Sequence, residues 1–215
     1  MSNPVFITLE GGEGSGKSTQ IKRLSQELDA RGIDHIMTRE PGGCQSALDI
    51  RKLLVEGDPD RWDGLSELLL YNAARHEHLR RVIRPALREG KWVLCDRFSD
   101  STIVYQSLAR GIPRDVAEYI TMLIVQGTMP DVTLLLDIDP TEGLKRAKGP
   151  RLGFNEDRFE KESLEFHQKL RQGFLDMAKE QPQRFRMIDA FQSEDAVHED
   201  IITALGDKLL RGTAA

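Results

Sequence analysis

Phosphate chemistry is concentrated near the start of the chain, in Gly11-Gly-Glu-Gly-Ser-Gly16-Lys17-Ser18-Thr19. Every fixed position of G-x-x-x-x-G-K-[ST] is met, with a β-favouring run from Val5 to Glu10 before it and Ile21, Leu24 and Leu28 at helical spacing after it. Gly11, Gly12, Gly14 and Gly16 free the backbone to turn its N–H groups inward, so amides and the positive end of the following helix hold a phosphate chain together with Ser15. Lys17, placed by this reading on an exposed loop, reaches the outer phosphates, and Ser18 faces a bound Mg²⁺.

Further along, Asp96-Arg97 closes an apolar run, Trp92-Val-Leu-Cys95. A carboxylate there suits the shell of a Mg²⁺ ion, or else a helix N-cap, and the arginine fork suits a second phosphate. Arg39 ends another short strand, and Arg51, on the next helix, either reaches the same phosphate or is solvated. Tyr71 and Arg75 lie four apart on a helical stretch and share a face, so a ring can stack on a base while the guanidinium bonds its exocyclic oxygen; core packing is the alternative for Tyr71. His76 and His78 show no metal-ligand spacing and read as solvated helix positions.

Charge builds on the transferring group in phosphoryl transfer, and a second cation is needed there. The variable cradle positions are Gly12, Glu13, Gly14 and Ser15, so the loop supplies only Lys17. The remaining basic cluster is Arg146, Lys148, Arg151 and Arg158, around a stretch whose Gly149, Pro150 and Gly153 suit a lid over about 148–157. Arg151, inside that stretch, is the expected catalytic cation, with Arg146 and Arg158 as supports.

The elements that must position these groups alternate strictly. Strands are expected over Val5 to Glu10, Ile33 to Thr38, Trp92 to Cys95, Val132 to Leu136 (ending at Asp137) and Phe185 to Ile188, with helical periodicity between them. Leu65 to Leu87 reads as one long helix, bent or ended near Pro85, and Ser193 as the cap of the closing helix. Such alternation implies a parallel sheet with helices on both faces, and ligands gathered at the carboxyl ends of its strands. Leu68, Leu69, Val82 and Ile83, with Ile120, Leu123 and Ile124, offer more apolar surface than one sheet face covers, the pattern of a homodimer.

Bulk properties narrow the classes. A chain of 215 residues suits a single domain, 1–215. Its net charge of −5 argues against general nucleic-acid binding, so any anion must be met by local basic clusters. No apolar run reaches membrane-spanning length, and Cys44 and Cys95 form no C-x-x-C pair, which together predict a reduced, cytoplasmic setting.

Taken in order, the phosphate loop, Thr38-Arg-Glu-Pro-Gly-Gly43, Leu70-Tyr-Asn-Ala-Ala-Arg75, Asp96-Arg97-Phe98 with Tyr105-Gln106, and Asp157-Arg158-Phe159-Glu160 resemble the bacterial thymidylate kinases over essentially the whole chain. The resemblance implies a P-loop fold with a five-stranded parallel sheet in order 2-3-1-4-5, Mg²⁺-ATP as donor, dTMP as acceptor and a homodimer. It also implies that Arg97 binds the acceptor phosphate, that Thr102 and Tyr105, beside Gln106, touch the base and close off the sugar 2′ position, and that Glu13 meets the 3′-hydroxyl. Two departures stand out: Ser107-Leu108 where the family usually has glycines, and Leu152-Gly-Phe-Asn-Glu156 in the basic loop.

A guanine-reading Asn-Lys-x-Asp is absent, which excludes a GTPase. Two rivals remain: a kinase for another nucleotide or nucleoside, and a regulatory protein that binds ATP without turning it over.

Overall fold

The computed structural model describes residues 3–55, 61–147 and 162–212. Five parallel strands, β1 (Phe6–Glu10), β2 (His35–Arg39), β3 (Trp92–Asp96), β4 (Val132–Asp137) and β5 (Phe185–Asp189), form one sheet in the order β2-β3-β1-β4-β5. The expected order is therefore found, and position in the sheet explains composition. β1, β3 and β4 are buried on both faces and carry nearly unbroken apolar runs, whereas the edge strands β2 and β5 are only half-buried and more polar.

Helices α1 (Lys17–Ala30), α2 (Gln45–Val55), α3 (Gly64–His78), α4 (Arg84–Arg88), α5 (Ser99–Val104), α6 (Arg114–Val125), α7 (Pro140–Ala147), α8 (Leu164–Glu180) and α9 (Glu194–Gly212) connect and cover the strands. One sheet face packs Ile7, Leu9, Leu94 and Leu134 on Leu24 and Leu28 of α1 and on Ile201 and Leu205 of α9. On the other, Phe6, Val93 and Cys95 meet Leu79, Ile83, Phe98 and Val125, while Leu135 meets Leu170 and Phe174. Alternation along β1 puts Glu10 with Phe6 and Thr8, so this carboxylate faces α5 rather than α1.

Asp63 caps α3 by accepting from the Ser66 N–H at 2.7 Å, and Ser163 caps α8 in the same way. The long helix expected over Leu65 to Leu87 exists as α3, a π-helical turn at Leu79–Ile83, and α4. Pro85 does not end it. It occupies the start of α4, where its missing N–H costs nothing. A second π turn, Tyr105–Ala109, extends α5. Such turns insert a residue into the helical ladder and re-aim the side chains around it, which here lie beside the site.

Leu68 and Ile83, expected on an exposed apolar face, are instead fully buried. Leu69 and Leu123 are exposed as expected, and Leu65, Tyr119 and Met122 join them on the outer faces of α3 and α6. Cys44 and Cys95 are free thiols. No helix among the described residues is long and apolar enough to cross a membrane. The stretch expected as a lid, with Arg151 and Arg158, lies outside the described residues.

Candidate functional site

Two concavities meet at the carboxyl end of β1. One is an open cleft of about 2100 Å³ running along the phosphate loop, past Lys17, Ser18, Thr19, Arg39, Asp96 and Arg146. The other is a closer cavity of about 680 Å³ between Tyr71, Arg75, Phe98, Thr102, Tyr105 and Gln106, with Arg51 and Pro41 on its wall. Glu13, Glu40 and Arg97 line both, so the two spaces communicate at these residues.

The loop owes its shape to glycine. Gly14 has φ +69°, and a Cβ there would sit 1.9 Å from the Gly143 carbonyl oxygen, so only glycine lets the loop close onto α7. Gly16, in the left-handed region, starts α1 without a side-chain cap, leaving the first amides of the helix to face the cleft. Lys17 is buried, not exposed as the sequence suggested. Its Nζ donates to the carbonyl oxygens of Gly11 at 3.1 Å and Gly12 at 2.8 Å and to Ser15 Oγ at 3.2 Å, which folds the side chain back over the loop. Burial and the nearby Arg97 charge bring its pKa down to about 8, while Glu13 pulls the other way.

Ser18 Oγ donates to Asp96 Oδ2 at 2.9 Å. A hydroxyl and a carboxylate side by side on the wall of the cleft are hard oxygen donors of the kind that would suit Mg²⁺. Asp96 is no N-cap here, since α5 begins three residues later without a side-chain cap.

Arg97 is held from several sides. Its φ of +65° is unusual outside glycine, and the position is stabilised by its N–H bond to Leu9 O at 3.0 Å. Its guanidinium donates to Glu13 Oε1 at 2.7 Å, Gly11 O at 3.2 Å and Ser101 Oγ at 3.1 Å, and lies 5.3 Å from the centroid of the Tyr105 ring. The Tyr105 hydroxyl reaches the same Glu13 oxygen at 3.3 Å. Beneath them Glu10 accepts from the Phe98 N–H at 2.8 Å and from Ser101 Oγ at 2.5 Å, tying the strained turn to β1. Burial and the charge of Asp100 push the Glu10 carboxyl up to about 7, against the pull of Arg97.

In the smaller cavity Arg75 is almost wholly enclosed. Its Nε donates to Glu40 Oε2 at 2.8 Å, its Nη2 to Thr102 Oγ1 at 2.7 Å and its Nη1 to Asn72 Oδ1 at 3.3 Å, with the Phe98 ring centroid 5.2 Å away. Tyr71 lines the same cavity, which agrees with a wall role rather than core packing. Arg51 is buried, donates to Pro41 O at 2.7 Å and faces this cavity. Gln106 donates to the buried Glu67 at 3.4 Å.

Several expectations divide here. Thr102, Tyr105, Gln106, Arg51, Tyr71 and Arg75 come together around one cavity, while Arg39 stands in the open cleft. Arg146 donates to Ala190 O at 2.8 Å, on the far wall of the cleft, and packs 5.9 Å from the centroid of Phe191. Asp137, one of the strand-end carboxylates, takes a two-point contact from Arg171 at 2.7 and 2.9 Å and lines a small separate cavity behind the loop. His78 is completely buried rather than solvated. Glu40, Asn72 and Ser101 were missed as site residues. Only Glu40 carried a usable signal, a lone carboxylate between Arg39 and Pro41 at a strand end.

A family model described as thymidylate kinase matches residues 9–201. The chain belongs to the thymidylate kinase family. It is 57% identical over 187 residues to the thymidylate kinase of Magnetococcus marinus, covering 87% of this chain and 88% of that protein. To that of Ruegeria pomeroyi it is 51% identical over 197 residues, with 92% of each covered. The crystal structure of thymidylate kinase from Ehrlichia chaffeensis superposes with a TM-score of 0.75 at 34% identity, over 94% of this chain and 99% of that one. Among thymidylate kinase relatives at this identity and coverage, neither rival, a kinase for another nucleotide or nucleoside or an ATP-binding protein without turnover, is favoured. The chain is a P-loop nucleotide kinase.

Proposed function

We propose that this chain transfers the terminal phosphoryl group of Mg²⁺-ATP to dTMP, giving dTDP and ADP. The observation that carries the reading is the meeting of the phosphate cleft and the side-chain-lined cavity at Glu13 and Arg97. ATP occupies the open cleft, its phosphates on the amides of Gly11 to Thr19, with Lys17 on the outer phosphates. Ser18 and Asp96 would hold Mg²⁺, which would supply neutralisation of phosphate charge. The dTMP base enters the smaller cavity against Tyr71 and under the Arg75 guanidinium, with Thr102, Tyr105 and Gln106 around base and sugar and Glu13 at the 3′-hydroxyl. Arg97 and Arg51 orient the acceptor phosphate, with Arg39 at its outer side.

The acceptor phosphate is largely dianionic at neutral pH, its second pKa being about 6, so its oxygen attacks the γ-phosphorus without a general base. A new P–O bond forms as the bond to the β–γ bridging oxygen breaks, and ADP leaves. Arg151, with Arg146 and Arg158, supplies the cation that meets charge on the transferring group. Residues 1–215 act as one kinase domain in the cytoplasm, with 148–157 as its lid.

We further infer a homodimer through the outer faces of α3 and α6, where Leu65, Leu69, Tyr119, Met122 and Leu123 are 46 to 72% exposed. Light scattering at micromolar concentration should give twice the 24.3 kDa chain mass, and a monomer rejects this interface. A coupled assay of ADP release with a panel of nucleoside monophosphates tests the reaction itself. Turnover with dTMP far above AMP, GMP and dCMP is expected; equal efficiency with purine nucleotides would reject the cavity as a thymine site.

A further inference from the structure

A buried chain of side chains runs from Arg75 and Glu40, on the wall of the acceptor cavity, to His78 and Thr38 behind it. Thr38 Oγ1, at the end of β2, lies 2.6 Å from His78 Nε2; His78 Nδ1 lies 3.0 Å from Glu40 Oε1; and the other Glu40 oxygen accepts from Arg75 Nε at 2.8 Å and forms an ion pair with Nη2. His78 has no exposed surface, Arg75 2% and Glu40 6%. Gly43, with φ +86°, closes the chain from above: a Cβ there would stand 2.2 Å from His78 Nε2 and 2.7 Å from Thr38 Oγ1.

Three residues apart on α3, His78 and Arg75 grip opposite oxygens of one carboxylate. A buried carboxylate held on one side only turns to whatever partner is nearest, and its grip on the guanidinium loosens. Held on both sides, Glu40 takes the Nε proton of Arg75 and pairs in charge with Nη2, Thr102 takes an Nη2 proton, and Asn72 takes one from Nη1. One Nη1 proton is left without a partner among the described residues, on a guanidinium that lines the cavity.

We propose that His78 is a positioning residue for base selection: acting through Glu40, it sets the Arg75 fork so that its remaining proton favours a base with a carbonyl, not an amino group, at the pyrimidine 4-position. This rests on the reading of Arg75 as the base-facing residue. Because the Glu40 carboxylate accepts, the His78 Nδ1 carries hydrogen, and Nε2 is left to pair with the Thr38 hydroxyl. Asparagine places its amide nitrogen near the Nδ1 position and preserves the contact with Glu40. Glutamine reaches the Nε2 position and preserves only the contact with Thr38.

Steady-state kinetics of the full-length enzyme with dTMP and dCMP test the relay in His78→Gln, His78→Asn and Arg75→Lys. His78→Gln should raise KM for dTMP by about 10- to 100-fold and reduce the dTMP to dCMP preference by about tenfold or more, leaving kcat at saturation and KM for ATP within about threefold. His78→Asn should restore most of the preference. A merely structural histidine predicts that both variants behave alike and that kcat and KM for ATP worsen together, which would overturn the proposal. Arg75→Lys separates the two layers. If it leaves KM for dTMP and the base preference unchanged, the base-facing reading of Arg75 fails; if it is impaired while His78→Gln matches wild type, only the relay fails. Should the variants not fold, ¹⁵N spectra of the wild-type imidazole decide: an Nδ1–H tautomer whose signals move on adding dTMP but not ADP is expected, and an Nε2–H tautomer would overturn the proposal.

Discussion

The donor cleft and the acceptor cavity are built on different principles. The cleft is centred on one contiguous stretch, Glu13 to Thr19, whose backbone is shaped by glycine, while Arg39, Asp96, Arg97 and Arg146 complete its walls. The cavity is made from side chains of α2, α3, α5, the second π turn and the loop after β2, and it keeps its form through buried ion pairs such as Arg75 with Glu40 and Arg97 with Glu13. Backbone recognition accepts any phosphate chain, because every nucleotide presents the same oxygens. Discrimination between acceptors needs walls of defined shape, and such walls come from side chains fixed by partners distant in sequence.

The largest test of this contrast removes the one indispensable side chain of the cleft. Lys17→Ala should lower kcat by about three orders of magnitude or more, since it deletes the only cation of the loop. Circular dichroism should show the fold retained, although loss of the Lys17 bonds to Gly11 and Gly12 will lower the melting temperature somewhat. Near-normal turnover would mean that the cleft is not the donor site.

Arg151→Ala should lower kcat by about two to three orders of magnitude with a much smaller change in KM for ATP, the pattern of a contact made mainly in the transition state. Normal kcat in this variant would move the role to Arg146 or Arg158. Active enzymes in all three would place the second cation outside the basic cluster and leave the contrast to the two described regions.

A smaller effect sharpens the acceptor side. The methyl group that separates dTMP from dUMP is worth about 1 to 3 kcal/mol in an apolar pocket, so dUMP should react with kcat/KM about 10- to 200-fold lower. Equal kcat/KM for the two would show that the cavity wall does not close on the 5-position.

The smallest expected effect concerns the joint between the regions. Glu10 ties Phe98 and Ser101 to β1, and its carboxyl, raised from 4.5 to about 7, binds a proton more tightly in the folded than in the unfolded chain. Its contribution to stability is therefore fully present below pH 4.5 and is lost as pH rises through 7. Thermal melts of wild type against Glu10→Gln should show the difference in melting temperature changing across this window and level above it. A difference independent of pH would show that Glu10 stays ionised in the fold.

Much of the architecture was legible from residue patterns because the forces behind it are local. The strands ended within a residue or two of their expected limits, since buried parallel strands need continuous apolar runs such as Val132 to Leu136. The phosphate loop was legible for the same reason: its function depends on backbone conformation, which glycine spacing dictates directly. The π turns after His78 and Val104 left no such mark, because an inserted residue in a helix is chosen by packing on both sides rather than by propensity.

The sequence by itself determined the parallel α/β frame, the phosphate cradle and the list of residue types able to face an acceptor. Only the tertiary structure decided how they pair. Lys17 looked exposed and is buried; His78 looked solvated and is enclosed; Glu40 was unremarked and holds Arg75, and Glu10 ties down Phe98 and Ser101 beside Arg97. Burial of a charge depends on which distant elements close around it, and the cost of leaving it unpaired there makes its partner as important as itself. That partner lies tens of residues away in the chain, where no local pattern announces it.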